Sequence, residues 1–239
     1  IGKLNAATAQ ARDFLRKADA VFITLGTAFV YYLKDSGMPV SNCHRQDPNL
    51  FTRRMISVDE ATEAIREIAT SIRQLNRNTH IVFTVSPLRH MGDGAHNNTL
   101  SKATLQLAIN NVINKVTTVP SASSGTLPVS YFPSYEIMMD ELRDYRFYAD
   151  DMVHLSKTAE EYIFERMAET YCSEKTRADI AQVEKFMKMA NHRIADPESP
   201  ATHAFAGKIL AQAKSLESSI SGLNLSEEIA KISKISGNP

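Results

Sequence analysis

The sequence has little cysteine, no excess of charge and no long apolar run. Among its 239 residues there are only 2 cysteines, Cys43 and Cys172, and they lie far apart. This argues against a disulfide framework and a cysteine zinc site. The formal net charge is zero and no basic stripe is present, so nucleic-acid binding is not expected. No run approaches the roughly 18 apolar residues of a membrane span.

The composition is that of an ordinary globular chain. Hydrophobic residues make up 43% and charged residues 23%, which favours neither a disordered nor a membrane class. The length allows one α/β domain, or a domain of about 150 to 175 residues with an extension. Unpaired cysteines lean slightly toward a cytoplasmic location, and the compartment otherwise stays open. Because the sequence opens at Ile1 within a helical pattern, we expect the natural N-terminus to lie upstream.

Three short runs rich in β-branched and aromatic residues predict strands. They cover Ala20–Leu25, His80–Val85 and residues 128–133. The first two are almost continuously apolar, which predicts strands buried on both faces.

Helices are predicted between and after these strands. Ser57 and Glu60 form a capping-box pattern, Ser101 is expected to cap a second helix, and a third begins near Ser156. Alternating strands and helices predict an α/β fold with a parallel sheet, whose functional residues lie just beyond the carboxyl ends of the strands.

After residue 172 the sequence becomes helical, with a proline-containing break at "ADPESPAT". We therefore predict a first domain at residues 1–172 and a helical C-terminal extension at residues 173–239. Apolar residues at helical spacing, such as Ile180, Val183 and Phe186, need a partner. That partner is the first domain, another subunit in a homo-oligomer formed through these helices, or an unknown protein.

The stretch "RFYADDMVHLS" contains the clearest chemical signal. Asp151 precedes His154 by three residues, close enough for its carboxylate to orient the imidazole and stabilise its charged form. A D-x-x-H spacing alone is weak, because many chains contain it by chance. Its position after the last strand and before a helix places the histidine at the sheet's carboxyl edge, where a general base is expected.

A second signal follows the first strand. Gly26 ends that strand and lets a backbone N–H approach a substrate oxygen, although a simple turn glycine is the competing interpretation. Asn42 offers a second donor to the same oxygen. His44, with Arg45, is a candidate partner for an acidic group on the substrate or a neighbouring carboxylate.

These segments together resemble a known family. "ITLGTAFVYYL", "SNCHR", "FTVSPLRHMGDGAHNNTLSKATL" and "YFPSYEIMMDELRDYRFYADDMVHLS" are similar to the GSCFA-domain family of bacterial proteins, a branch of the SGNH/GDSL hydrolases, over roughly residues 13–171. The resemblance implies a flavodoxin-like three-layer α/β/α sandwich and a serine esterase without metal or cofactor. It further implies His154 as general base, Asp151 as its orienting partner and Gly26 as an oxyanion donor.

Two departures from the family pattern matter. Gly26-Thr27 is not followed by the G-x-N-D asparagine of SGNH enzymes, which is why Asn42 is the substitute candidate. The Gly-Ser-Cys-Phe-Ala motif with the nucleophilic serine is absent, and we expect it upstream of this sequence. Ser86 is a poor replacement, because the following Pro87 has no N–H to donate.

The "SPLRH" segment of the resemblance places Arg89 and His90 near the pocket, for substrate binding or loop ordering; surface ion pairing is an equally plausible interpretation. The leading functional hypothesis is a carboxylester hydrolase acting on small acyl esters or acetylated carbohydrates. An acyltransferase would use the same residues. The alternative from another class is a non-catalytic binding protein that keeps the fold without the nucleophile.

Overall fold

The computed structural model describes residues 2–43, 45–118, 129–192, 196 and 199–234. The strands are β1 (Ala20–Leu25), β2 (Phe29–Leu33), β3 (Pro39–Val40), β4 (Phe51–Met55), β5 (His80–Val85) and β6 (Val129–Phe132). The helices are α1 (Gly2–Leu15), α2 (Val58–Leu75), α3 (Ala95–Thr118), α4 (Ser134–Glu136), α5 (Lys157–Tyr171), α6 (Glu174–Ala190), α7 (Pro200–Ser219) and α8 (Ser226–Ser233). A π-helical turn, Ile137–Glu141, continues α4. The chain divides into two units, Ile1–Phe164 and Glu165–Pro239.

The first unit is built on a parallel sheet, which confirms the predicted α/β class. Its strand order is β1-β5-β6, so β5 lies in the middle. Leu25 pairs with Val85 and Thr84 pairs with Phe132, which brings the carboxyl ends of all three strands to one edge. Helices α2 and α3 pack against each other and, with the sheet residues Ile81 and Phe83, form the main core.

The two longest predicted strands differ in burial. β5 is buried from Ile81 to Val85, as predicted. The prediction for β1 was wrong, because its residues alternate between exposed and half-buried and the side chain of Phe22 is 43% exposed. The reason is position: β1 is at the edge of this sheet, and only its Val21, Ile23 and Leu25 face packs on the core.

The helix starts were predicted with mixed success. The Ser57 hydroxyl accepts a hydrogen bond from the Glu60 N–H, and the Glu60 carboxylate accepts one from the Ser57 N–H, which confirms the capping box. Ser101 does not cap α3, because that helix already begins at Ala95. Its hydroxyl accepts instead from the Ala28 N–H at 2.7 Å.

A second, antiparallel sheet with strand order β3-β2-β4 follows β1 directly and was not predicted. All five residues of β2 are half-buried, and its sequence, FVYYL, is apolar or aromatic at every position. It therefore lacks the alternation of polar and apolar residues that marks a strand with one exposed face. Three residues, Gly26 to Ala28, connect it to β1. This places the small sheet beside the carboxyl edge of the parallel one.

The second unit is helical. Helices α6, α7 and α8 share a core in which Phe186, Ala206 and Ala213 are almost fully buried. The predicted break after α6 is observed, since α7 begins at Pro200 with Ser199 as its cap. Within the described part of the chain, no helix is both long and apolar enough to cross a membrane.

Candidate active site at the carboxyl edge of the sheet

Asp151 and His154 lie in a tight loop between a 3₁₀ turn, Tyr145–Phe147, and helix α5. The ends of the loop are held together by the Ala149 N–H, which donates to the His154 carbonyl at 2.9 Å, and by an antiparallel bridge between Tyr148 and Leu155. Met152, at its tip, has a φ of 61°, in the left-handed region. The backbone, rather than apolar packing, therefore sets the loop's shape.

Within the loop, the carboxylate of Asp151 holds His154 in two ways. Its Oδ2 lies 2.5 Å from His154 Nδ1, and its Oδ1 accepts from the backbone N–H groups of Val153 and His154, each at 2.9 Å. The backbone N–H and then the imidazole of His154 lower the pKa of Asp151 to about 2. The ionised carboxylate accepts a hydrogen bond from the Nδ1–H of the neutral imidazole, which leaves the Nε2 lone pair for proton transfer.

The imidazole is open to solvent. The side chains of His154 and Asp151 are 65% and 51% exposed. An exposed imidazole beside an ionised carboxylate can take a proton from a nucleophile and return it to a leaving group. The arrangement suits acyl transfer at a surface-accessible site.

Gly26 occupies the same edge of the sheet, just after β1. The Leu25 carbonyl accepts from the Ser86 N–H at 2.9 Å. Because carbonyl and N–H point in opposite directions across a trans peptide, the Gly26 N–H points away from β5. Among the described residues, none accepts a hydrogen bond from the Gly26 N–H.

Arg89 and His90 connect the Gly26 segment to the histidine loop. Arg89 Nη2 donates to the Tyr148 hydroxyl at 2.8 Å and its guanidinium stacks on that ring at 4.6 Å. His90 Nε2 would lie only 3.6 Å from a Cβ built on Gly26, so the ring lies against the glycine. Two adjacent residues therefore contact the two parts of the candidate site.

The His90 imidazole is in an environment that disfavours its charge. Burial lowers its pKa first, and the positive charge of Lys102 acts in the same direction, whereas Asp93 opposes them. Its backbone N–H donates to Asn98 Oδ1 at 3.0 Å, which fixes the segment on α3. A neutral imidazole in this position can contact a substrate as a hydrogen-bonding group.

Of the remaining predicted residues, the structure describes only Asn42. Asn42 is exposed beyond β3, and no hydrogen bond among the described residues joins it to Gly26. His44 lies outside the described residues.

The serines near the strand ends all have structural contacts. Ser86 Oγ accepts from the Leu88 N–H, and Ser156 Oγ accepts from the Ala159 N–H at the start of α5. Ser134, the first residue of α4, donates to the Val85 carbonyl at 2.8 Å. Ser101 is buried against Ala28. None of these hydroxyls contacts His154 among the described residues.

Arg53, on β4, is a site residue that the sequence analysis missed. Its guanidinium stacks on Phe29 at 4.4 Å and pairs with Asp93 through both carboxylate oxygens. That pairing lowers the pKa of Asp93 and fixes the antiparallel sheet to the segment after His90. The only signal in the sequence was an aspartate in the motif "SPLRHMGD".

Lys102, on α3, was also missed. Its side chain is 1% exposed, and its Nζ donates to the carbonyl oxygens of Gly26 and Ser86 at 2.6 Å and 2.7 Å. Its spacing from Leu105, Ile109 and Val112 places it on the apolar face of α3, where a lysine is unusual. A lysine on this apolar face was the signal in the sequence that could have identified Lys102.

Comparison with known proteins identifies the family. The sequence model described as the GSCFA family matches residues 1–167, and that of the GSCFA domain protein, C-terminal domain, matches residues 183–235. Comparisons with curated proteins and with solved structures gave no match. Since the first match alone spans well over half of the sequence, the chain belongs to the GSCFA family.

Proposed function

We propose that this protein is a carboxylester hydrolase of the SGNH type. His154 acts as general base, Asp151 orients its imidazole, and the Gly26 N–H stabilises the oxyanion. The observation that carries the proposal is the 2.5 Å contact between Asp151 Oδ2 and His154 Nδ1 in an exposed loop at the carboxyl edge of the sheet. The packing of α2 and α3 on one face of a parallel sheet is consistent with the three-layer sandwich of that superfamily.

The chemistry follows from the direction of the imidazole. Nε2 removes the proton of a serine hydroxyl as its oxygen attacks the ester carbonyl, and the Asp151 carboxylate stabilises the imidazolium. The tetrahedral intermediate collapses when Nε2 returns the proton to the departing alcohol. Water, activated in the same way, then attacks the acyl-enzyme and releases the acid; an alcohol in place of water would make the reaction an acyl transfer.

The oxyanion forms on the carbonyl oxygen of the ester. The Gly26 N–H is suited to donate a hydrogen bond to this oxyanion, because the N–H points away from β5 and has no acceptor among the described residues. His90, against Gly26, and Arg89, anchored on Tyr148, are the proposed substrate-binding side chains. The openness of His154 favours small acyl groups carried on a larger molecule, such as acetylated carbohydrate.

The nucleophile in this proposal is the serine of the Gly-Ser-Cys-Phe-Ala motif that names the family. The printed sequence does not contain that motif. The test therefore uses the product of the complete coding sequence.

The decisive experiment combines labelling with kinetics. A serine-directed fluorophosphonate probe should label one serine, identified by mass spectrometry, and the protein should hydrolyse p-nitrophenyl acetate. His154→Ala should lower the hydrolysis rate by about a thousandfold or more. His96→Ala, which removes another exposed histidine of the first unit, should leave the rate unchanged. Absence of both labelling and hydrolysis would reject the esterase and favour a non-catalytic binding protein on this fold.

A further inference from the structure

Lys102 is the most unusual buried group in the first unit. It is 1% exposed, and among the described residues no carboxylate pairs with it. Removing an ammonium group from water is costly unless it is fully hydrogen-bonded. A methionine or leucine would fill the same space on α3 without that cost, so packing alone does not explain the lysine.

The two acceptors of Lys102 are informative. The Gly26 and Ser86 carbonyls, at 2.6 Å and 2.7 Å, directly follow the adjacent strands β1 and β5. One ammonium group thus connects two strand ends at the edge that carries the candidate site. The two oxygens favour its charged form, although burial lowers the pKa of Lys102 to about 8.

The preceding residue on α3 acts on the same segment. Ser101 Oγ accepts from the Ala28 N–H at 2.7 Å and lies 3.0 Å from Thr27 Oγ1. Together, Ser101 and Lys102 hold three consecutive residues after β1. Glycine is the residue with the greatest backbone freedom, so Gly26 is where such restraint has most effect.

We propose that Lys102 is a positioning residue for the oxyanion donor. Its ammonium group holds the Gly26 carbonyl, which restrains the backbone torsion angles of Gly26 between that carbonyl and the Gly26 N–H, and it places a positive charge beside the peptide that follows the donor. Preorganised donors and charges of this kind stabilise a transition state without reorganisation during the reaction. The inference rests on the proposed esterase and adds to it a residue that touches neither substrate nor His154.

The test compares two substrates that differ at the carbonyl atom. p-Nitrophenyl acetate develops negative charge on oxygen, whereas its thionoacetate analogue develops it on sulfur, which accepts hydrogen bonds from backbone N–H groups poorly. Loss of a well-placed donor therefore lowers the ratio of oxoester to thionoester rates. Damage to the fold or to the general base lowers both rates and leaves the ratio unchanged.

Lys102→Met is the principal variant, made in the product of the complete coding sequence. We expect kcat for the oxoester to fall about 10- to 100-fold, with KM little changed and the oxoester/thionoester ratio reduced by a similar factor. Lys175→Met removes an exposed lysine of the second unit and should change neither quantity. His154→Ala should lower both rates at a constant ratio.

Lys102→Gln guards against misfolding of the methionine variant, because its amide can still donate to one of the carbonyls. It should give an intermediate ratio, with circular dichroism and the unfolding transition of both variants as the folding check. An active wild-type protein whose ratio is unchanged in folded variants would overturn the role of Lys102 alone. A wild-type protein without esterase activity would overturn the proposed function and this inference with it.

Discussion

The Arg89 guanidinium donates a 2.8 Å hydrogen bond to the Tyr148 hydroxyl and stacks on the same ring. Arg89 follows β5, and Tyr148 begins the loop in which the Ala149 N–H donates to the His154 carbonyl. The contact therefore ties the histidine loop to the sheet. Without it, the position of the imidazole relative to Gly26 would depend on the loop alone.

Tyr148→Phe tests this connection by removing only the hydroxyl. We expect a loss of about 1 kcal/mol in the free energy of unfolding and a several-fold drop in kcat, because the loop loses a hydrogen bond to a charged donor. Tyr145→Phe is the control, since that neighbouring ring is 70% exposed. Chemical denaturation and ester hydrolysis measure the two effects. Equal behaviour of both variants would show that the Arg89 contact does not position the loop.

Asp151 predicts how acid affects the protein. Its pKa is about 2 in the folded protein against 3.8 for the free side chain, so its stabilising effect is complete above about pH 4 and is lost as the pH falls through 2. Asp151→Asn should remove that part of the acid sensitivity. Melting temperatures of both proteins between pH 2 and pH 5, a range set by these two values, provide the measurement. If the melting temperatures of the two proteins change in parallel with pH, Asp151 does not stabilise the folded protein through its ionised carboxylate.

Arg53 and Arg54 are a matched pair on opposite faces of β4. Arg53 pairs with Asp93 beside His90, whereas Arg54 stacks on Tyr32 and pairs with the exposed Glu60. Arg53→Ala should cost about 1–2 kcal/mol of stability and reduce ester hydrolysis, because it frees the antiparallel sheet from the site. Arg54→Ala should cost less stability than Arg53→Ala and leave hydrolysis unchanged, because its ion pair is exposed to solvent. Similar losses of activity in both would remove Arg53 from the site.

Lys102 predicts an unusual response to alkali. Its pKa is about 8 in the folded protein and 10.5 when free, so between these values the unfolded state binds more protons and stability rises with pH. The gain has an upper limit of about 3 kcal/mol. His90, the titratable group that interacts with Lys102, and its charged neighbours Arg53 and Asp93 do not titrate in this window, because the pKa values of His90 and Asp93 are lowered and that of Arg53 is raised. Urea unfolding at pH 7.5 and 9.5, two points placed around that window, should show the rise in wild type and not in Lys102→Met.

The sequence predicted the features that depend on local pattern. The bounds of β1 and β5 and the capping box at Ser57 could be read from short stretches, because strand composition and capping are local properties. The D-x-x-H pair is local too, which is why a hydrogen bond between Asp151 and His154 could be anticipated.

The features that could not be predicted depend on contacts between segments that are far apart in the sequence. The exposure of Phe22 follows from the edge position of β1, which is a property of strand order. Lys102 meets Gly26 only because α3 returns past the end of β1. For the same reason the Ser101 hydroxyl, predicted to cap a helix, accepts a hydrogen bond from the Ala28 N–H. A single sequence carries no direct record of such long-range contacts.

The strand order also bears on how the chain folds. Ala20 pairs with His80, and Ile81 pairs with Val129, so each ladder of the parallel sheet joins segments that are far apart in the sequence. Closing such loops costs chain entropy before any strand pairing repays it, which places folding in a slower class than that of helical bundles. On the ribosome, β1 and α2 emerge before the central strand β5 exists, and the sheet is completed only after β6 has been synthesised.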